Sequence, residues 1–322
     1  MHQGHQLRSI HSRLVLCAAA TTLALLGTAC GAQREPAPSA LHPAAGHAGY
    51  PMDVTADNGT VTLAAKPTRI VSLSPTDTEM LFAIGAGGQV TAVDSNSTFP
   101  AGVPTSSLSA YTPNVEAILA YKPDPVVASD DMNGLLKGLA TAHVPTVLLK
   151  SATTLSDSYR QITTLGAATD HAAAAADVVS GMESKVKQIV ADTPKQTRPL
   201  SYYYELDHTL FTATSSSFFG NMFSMLGMKN IADAAGTDGN AYPQLSAEYL
   251  ASANPDLVFL ADSKCCGANV ASYGARPGNA KATAVVTKSV VPLDDDIASR
   301  WGPRSVDLLA TVADALRSRS AG

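Results

Sequence analysis

The chain is poor in charge and in tryptophan. Only 15% of its 322 residues are Asp, Glu, Lys or Arg, and Trp301 is its single tryptophan. Soluble domains run at about 25% charged, so neutral small and polar side chains must cover much of this surface. There is no run of Lys and Arg, and 22 basic against 27 acidic residues leave a net charge of −5. That balance argues against nucleic acid as a partner, because a phosphate backbone demands clustered cations. Catalytic signatures are missing too: the chain has no H-E-x-x-H, no C-x-x-C, no G-x-S-x-G and no Walker loop. Gly85-Ala-Gly87-Gly88 closes a helical pattern where a dinucleotide loop would follow a strand, and Ser184-Lys-Val-Lys187 sits on a solvated helix face. The histidines are scattered without ligand spacing, so no metal site and no enzyme are expected. What is present is ample apolar material: 45% hydrophobic residues suffice for about two domains, each with its own core.

The first 29 residues read as a secretory leader. Arg8 and Arg13 precede an uncharged apolar stretch over residues 14–26, shorter than the ~20 residues of a membrane span. It ends in Leu26-Gly27-Thr28-Ala29-Cys30, which resembles the bacterial lipobox, although Gly27 stands where a branched apolar residue is usual. By that resemblance Cys30 is lipidated and becomes the first mature residue. Removing the leader leaves 20 basic against 27 acidic residues, a net charge of −7. Residues 30–49 lack apolar periodicity and read as a flexible tether.

The body contains an internal echo. Glu116-Ala-Ile-Leu-Ala-Tyr-Lys-Pro123-Asp124 and Glu248-Tyr-Leu-Ala-Ser-Ala-Asn-Pro255-Asp256 each place Glu seven residues before Pro and lead into an apolar run. Physically this is a short helix, a Pro that cannot continue it, and a buried strand. Met80-Leu-Phe-Ala-Ile-Gly85 and Met222-Phe-Ser-Met-Leu-Gly227 form a second pair, each a helical pattern stopped by Gly. Strands are expected over 69–73, 90–93, 125–128, 146–149, 200–205, 257–261 and 290–293, alternating with helical patterns. The expected fold is therefore α/β: two similar parallel-sheet lobes over residues 50–169 and 194–322. Residues 170–193 join them as a single long helix, Ala-rich and free of Pro.

Ligands of parallel-sheet domains bind outside the carboxyl ends of the strands. Those ends carry Ser74, Pro75, Asn96 and Ser129 in the first half, with Tyr111 in a neighbouring loop. In the second half they carry Phe211, Ser217, Tyr242, Asp296, Arg300 and Trp301. Hydroxyl and aromatic groups prevail, as in a cleft that grips one organic ligand. Cys265 and Cys266 lie just after one strand. In an exported chain they form a vicinal disulfide or stand as two free thiols.

Several segments together resemble the periplasmic-binding proteins of iron-siderophore, haem and cobalamin ABC importers. They are Lys66-Pro-Thr-Arg-Ile-Val-Ser-Leu-Ser-Pro75-Thr-Asp-Thr-Glu79, Leu81-Phe-Ala-Ile-Gly85, Asn114-Val-Glu116 and Lys122-Pro-Asp124. Phe211-Thr-Ala, Tyr242-Pro243, Glu248, Asn254-Pro-Asp256 and Gly302-Pro-Arg304 continue the match. The resemblance implies two lobes with little hinge motion and a ligand cleft between them. It also implies that Glu116 and Glu248 dock onto Arg residues of a permease dimer, one Glu per lobe, although an acid in a first helical turn is favoured by the helix dipole in any case. The implied cargo is a small metal chelate, with a ferric siderophore-type chelate ahead of cobalamin or haem, and no cofactor of the protein's own. Cobalamin binders of the family place several Trp in the cleft, where this chain has Asn96, Ala110, Ser129 and Tyr242. Arg300 or Arg304 would meet an anionic chelate, unless Arg304 braces the fold. Haem would need Tyr111, Tyr242, His143 or His208 as ligand. The expected protein is a monomer outside the cytoplasmic membrane, anchored through the lipid on Cys30. A ligand-sensing surface module and an extracytoplasmic enzyme on the same scaffold are the readings from other classes.

Overall fold

A computed structural model describes residues 49–236 and 239–320. The leader, Cys30 and the tether up to residue 48 lie outside the described residues. The described chain opens with an antiparallel hairpin, β1 (Met52–Ala56) and β2 (Gly59–Leu63), which the strand pattern above did not include. Its turn is Asp57-Asn58, and Gly59 directly after it has φ 102°, a backbone conformation that glycine adopts without strain.

The first half builds β3 (Ile70–Leu73), β4 (Val90–Val93), β5 (Val126–Ala128) and β6 (Thr146–Leu148) into a parallel sheet of order β4-β3-β5-β6. Its helices are α1 (Pro75–Ala83), α2 (Val115–Leu119), α3 (Leu135–Thr141) and α4 (Leu155–Ala168). After α5 (Ala172–Asp192), the second half builds β7 (Ser201–Glu205), β8 (Lys229–Asn230), β9 (Leu257–Leu260) and β10 (Val290–Pro292). The order of that sheet is β10-β9-β7-β8, again parallel. Its helices are α6 (Phe218–Ser224), α7 (Ala247–Ala253), α8 (Ser263–Cys266), α9 (Val270–Gly274), α10 (Thr283–Val286), α11 (Asp295–Ala298) and α12 (Ser305–Ser320).

The two halves are the same design. Counted from its own first strand, each sheet runs second, first, third, fourth. Each places one helix between strands one and two (α1, α6) and one between strands two and three (α2, α7). The Pro-Asp of the sequence echo has an identical task in both. Asp124 accepts from Thr68 N at 2.6 Å, Thr68 Oγ1 at 3.0 Å and Arg69 N at 3.0 Å, which ties the start of β5 to the start of β3. Asp256 accepts from Ser201 N at 2.8 Å, Ser201 Oγ at 2.9 Å and Arg198 at 2.8 and 2.7 Å, tying β9 to β7.

The connecting helix α5 holds 21 residues, about 31 Å at 1.5 Å each. It buries Ala175, Met182 and Val186 on one face. Around it lies one continuous apolar cluster that includes Met80 and Ile162 of the first half and Tyr202, Phe223, Phe259, Leu309 and Val312 of the second. The lobes are therefore joined by a shared core as well as by a helix. Packing of α12 against α5 and α6 is what closes that core. Gly220 lies at a close approach inside it: a Cβ there would stand 2.1 Å from the Thr214 carbonyl oxygen.

The hydrogen bonds from Arg198, reinforced by those from Ser201, hold the Asp256 carboxyl at about 2, below the usual carboxylate range. An acid whose folded value lies below its unfolded one stabilises the fold above about pH 4 and loses that contribution as pH falls through the folded value. Asp256→Asn is thus expected to lower the urea midpoint at pH 7. The gap from the parent protein should close as the pH falls from about 4 towards about 2.

Candidate ligand-binding cleft

Both sheets point their carboxyl ends at a cavity of about 710 Å3 between the halves. Ser74, Pro75 and Thr76 follow β3, Asp94, Ser95 and Asn96 follow β4, and Ser129 and Asp130 follow β5. Tyr111 comes from the loop before α2, and Ser151 from the end of β6. The second half adds Cys265 from α8 and Asp296, Ser299, Arg300 and Trp301 from the loop around α11. Ser74 and Pro75 are there because a helix must begin there. Ser74 Oγ caps α1 by accepting from Asp77 N at 3.3 Å, and Pro75 takes a first-turn position, where its missing N–H costs nothing.

The base of the cleft is a polar chain. Thr78 Oγ1 donates to Ser72 Oγ at 2.9 Å and lies 3.1 Å from Ser97 Oγ, and Ser97 Oγ in turn donates to Asp94. Burial pushes the Asp94 carboxyl up, with Ser97, Asn96 N–H and Arg300 opposing. Asp77 is fully buried, and its carboxyl oxygens have no hydrogen-bond partner among the described residues. Burial pushes that acid up to about 8, which favours its neutral form.

One buried ion cluster joins the halves across this base. Glu79 on α1 accepts from Arg300 Nη1 at 2.6 Å, Arg304 Nε at 2.9 Å and Arg304 Nη2 at 2.5 Å. Arg300, only 7% exposed, also donates to Asn96 O at 3.0 Å and Asp296 Oδ1 at 2.9 Å. Lys264 Nζ meets Asp296 at 2.5 Å, and the Arg304 guanidinium lies 3.9 Å from the Phe99 ring centre. Trp301 is fixed to the other half as well: its Nε1 donates to Gln161 Oε1 on α4 at 2.8 Å, and its carbonyl accepts from Ser158 Oγ at 2.5 Å.

Ser74, Pro75, Asn96, Tyr111, Ser129, Asp296, Arg300 and Trp301 thus line a single cavity. Phe211, Ser217 and Tyr242 lie outside its lining. Ser217 is buried as the N-cap of α6, accepting from Gly220 N and donating to Thr214 O. Phe211 belongs to a short ladder in which Thr212 N donates to Pro243 O and Thr214 N to Ala241 O, and this ladder leaves the Phe211 and Tyr242 rings partly exposed. Arg300 is placed at the cleft, but its donors are engaged by protein groups. Arg304 braces Glu79. Asp94 is the lining residue that the strand pattern most nearly offered and that was not singled out, an acid directly after a strand of four apolar or small residues.

Glu116 and Glu248 are both exposed in the first turns of α2 and α7, equivalent helices of the two halves. Asn114 caps α2 by accepting from Ala117 N at 2.9 Å, and Ser246 caps α7 by accepting from Tyr249 N at 3.0 Å. Its own backbone N–H and the Ser246 hydroxyl hold the Glu248 carboxyl below the usual range. Cys265 and Cys266 are joined in a vicinal disulfide, with their Cα atoms 3.8 Å apart. Asp295 holds that turn through Lys264 N at 2.9 Å and Cys265 N at 2.6 Å. No helix among the described residues is long and apolar enough to cross a membrane.

Two pseudo-equivalent parallel-sheet lobes around an interlobe cleft define a substrate-binding protein of the type that serves ABC importers. Residues 70–297 match the Periplasmic binding protein family, and the chain belongs to it. It is 30% identical over 332 residues to a Halobacterium salinarum protein named cobalamin-binding protein, covering 99% of this chain and 86% of that one. It is 28% identical to an uncharacterized ABC transporter substrate-binding lipoprotein of Bacillus subtilis, covering 81% of this chain and 83% of the relative. Among solved structures it is similar to a possible iron-binding, periplasmic solute-binding protein of Staphylococcus epidermidis. That likeness has 26% identity and a TM-score of 0.67, over 78% of this chain and 99% of the other. Proteins of this family deliver small ligands to ABC transporter permeases.

Removing one member of a buried ion cluster leaves uncompensated charge, at a cost of about 3–5 kcal/mol. Glu79→Ala is expected to destabilise the protein by about that amount in urea unfolding, because Arg300 and Arg304 both lose their carboxylate. Arg317→Ala, at an exposed pair with Asp314, should change stability by less than about 1 kcal/mol.

Proposed function

We propose that this chain captures a cobalamin-class corrinoid outside the cytoplasmic membrane and passes it to an ABC importer permease, with a lipid on Cys30 holding it at the membrane. The observation that carries this reading is the state of Arg300. Among the described residues it is the one guanidinium lining the cleft, and Glu79, Asp296 and the Asn96 carbonyl engage it. The other lining groups are hydroxyls, an amide, carboxylates, Trp301 and Tyr111, beside Pro75, Ala110, Met132 and Cys265. Such a wall suits a bulky ligand whose rim carries uncharged carboxamides, which donate to carboxylates and exchange hydrogen bonds with hydroxyls. The name of the Halobacterium salinarum relative supports the same class.

A ferric siderophore-type chelate is the second reading, favoured by the Staphylococcus epidermidis structure described as possibly iron-binding. Haem fits less well, since its two propionates would find no unengaged cation in the lining. In either case the protein acts as a monomer and neither makes nor breaks a bond. Docking through Glu116 and Glu248 is supported by their equivalent exposed places in the two halves, since a pseudo-symmetric pair suits a symmetric permease dimer.

Trp301 lines the cleft and is the single tryptophan, so its emission reports on this site alone. Cyanocobalamin is expected to quench it with a Kd of about 1 μM or tighter. No quench and no heat of binding by calorimetry would remove the corrinoid reading, and saturation by a ferric trihydroxamate instead would establish the second. Reversing both acids, Glu116→Lys with Glu248→Lys, is expected to abolish uptake by cells while leaving the Kd unchanged. Undiminished uptake would remove the docking role, and a lost Kd would place the two acids in the pocket.

A further inference from the structure

The residues that line the cleft carry an unbalanced charge. Among the described residues, three carboxylates line it, Asp94, Asp130 and Asp296, against the single cation Arg300. Three cations at or beside the cleft are held by acids. Arg300 pairs with Glu79 and Asp296, Arg304 with Glu79, and Lys264 with Asp296. Asp130 differs from its neighbours: it is exposed at the end of β5, and its hydrogen bond is to the Asp131 backbone N–H at 2.7 Å rather than to a cation. Asp94 likewise takes its hydrogen bonds from Ser97 and the Asn96 N–H.

The geometry points to charge as the filter of this site: Asp130, backed by Asp94, makes the cleft accept neutral and cationic chelates and turn away anionic ones. This rests on the cleft being the cargo site, and it extends the ligand reading by adding a rule for which member of a ligand class is carried. The physical reason is that a ligand entering the cavity displaces the water that screens these carboxylates. An anionic group on the ligand then meets fixed negative charge, while Arg300 is already engaged by Glu79 and Asp296. Discrimination of this kind works through repulsion of the wrong ligand as much as attraction of the right one. Asp130 sets specificity and is not the acid that ties α3: its neighbour Asp131 accepts from Leu136 N at the start of that helix.

The test is a charge series on one scaffold. The mature protein is titrated at low salt and mildly acidic pH with cationic aquacobalamin, neutral cyanocobalamin and an anionic monocarboxylate of cyanocobalamin. Affinity is expected to fall by about tenfold from cation to anion, and the spread should shrink when salt shortens the screening length. Asp130→Asn should narrow the spread by about threefold and weaken its salt dependence, which loss of a merely structural residue would not do. Equal affinities across the series, or tightest binding of the anion, would overturn the inference. If no corrinoid binds, the corrinoid proposal falls, and cationic, neutral and anionic ferric trihydroxamates decide the charge rule by the same criterion. Failure of both series to bind would remove the charge rule together with the ligand reading.

Discussion

The structure depends on one carboxylate. Glu79 lies in the first half, 3% exposed, and takes its charge partners Arg300 and Arg304 from the last loop of the second. A charge this deep is tolerable only when it is paired and hydrogen-bonded, so the loop bearing Arg300 and Arg304 has essentially one place to go. Seating that loop puts Trp301 against Gln161 and brings Asp296 to the cleft wall. It also settles the electrostatics of the cavity: the guanidinium that would otherwise greet an anion is neutralised from below.

Around that contact the two halves repeat one plan, down to its hydrogen bonds. The same strand order recurs, and the same Pro-Asp clamp recurs at Asp124 and Asp256. The first helical turns that carry Glu116 and Glu248 are capped alike, by Asn114 and Ser246. Local demands explain each feature singly, since a helix needs a cap and a strand start needs its N–H groups satisfied. They do not require each feature to recur at the same place in both halves. The repetition is a property of the whole body, and it gives each half the same exposed first helical turn with an acid in it.

Much of this was legible in the sequence. All seven strands expected from apolar runs form, because a β-branched run bounded by Pro, Gly or Asp has few other ways to satisfy its backbone. The long Ala-rich helix forms at 172–192, against an expected 170–193. What escaped were features decided by partners far away in the chain. The β1–β2 hairpin has only short alternation, and β8 is just two residues long, too little for a pattern. Ser217 looked like a ligand-facing hydroxyl, but a Ser just before a helix is taken by the backbone first. Arg300 looked like a ligand-facing cation, and nothing local shows that its partner stands 221 residues earlier. Burial of that pair is a tertiary fact.

The shared apolar core has a consequence for how tightly such a protein holds its ligand. Phe223, Phe259 and Leu309 pack in the same cluster as Met80 and Ile162, with α5 running between the halves. A clamp on a loose hinge must give up interdomain freedom each time it closes, and that loss is subtracted from every contact it makes. A core shared by the halves resists such movement and holds the walls of the cavity where they stand. Little ordering then stands between contact and affinity, and what is captured depends on the chemistry of a preformed wall rather than on the energy of closing.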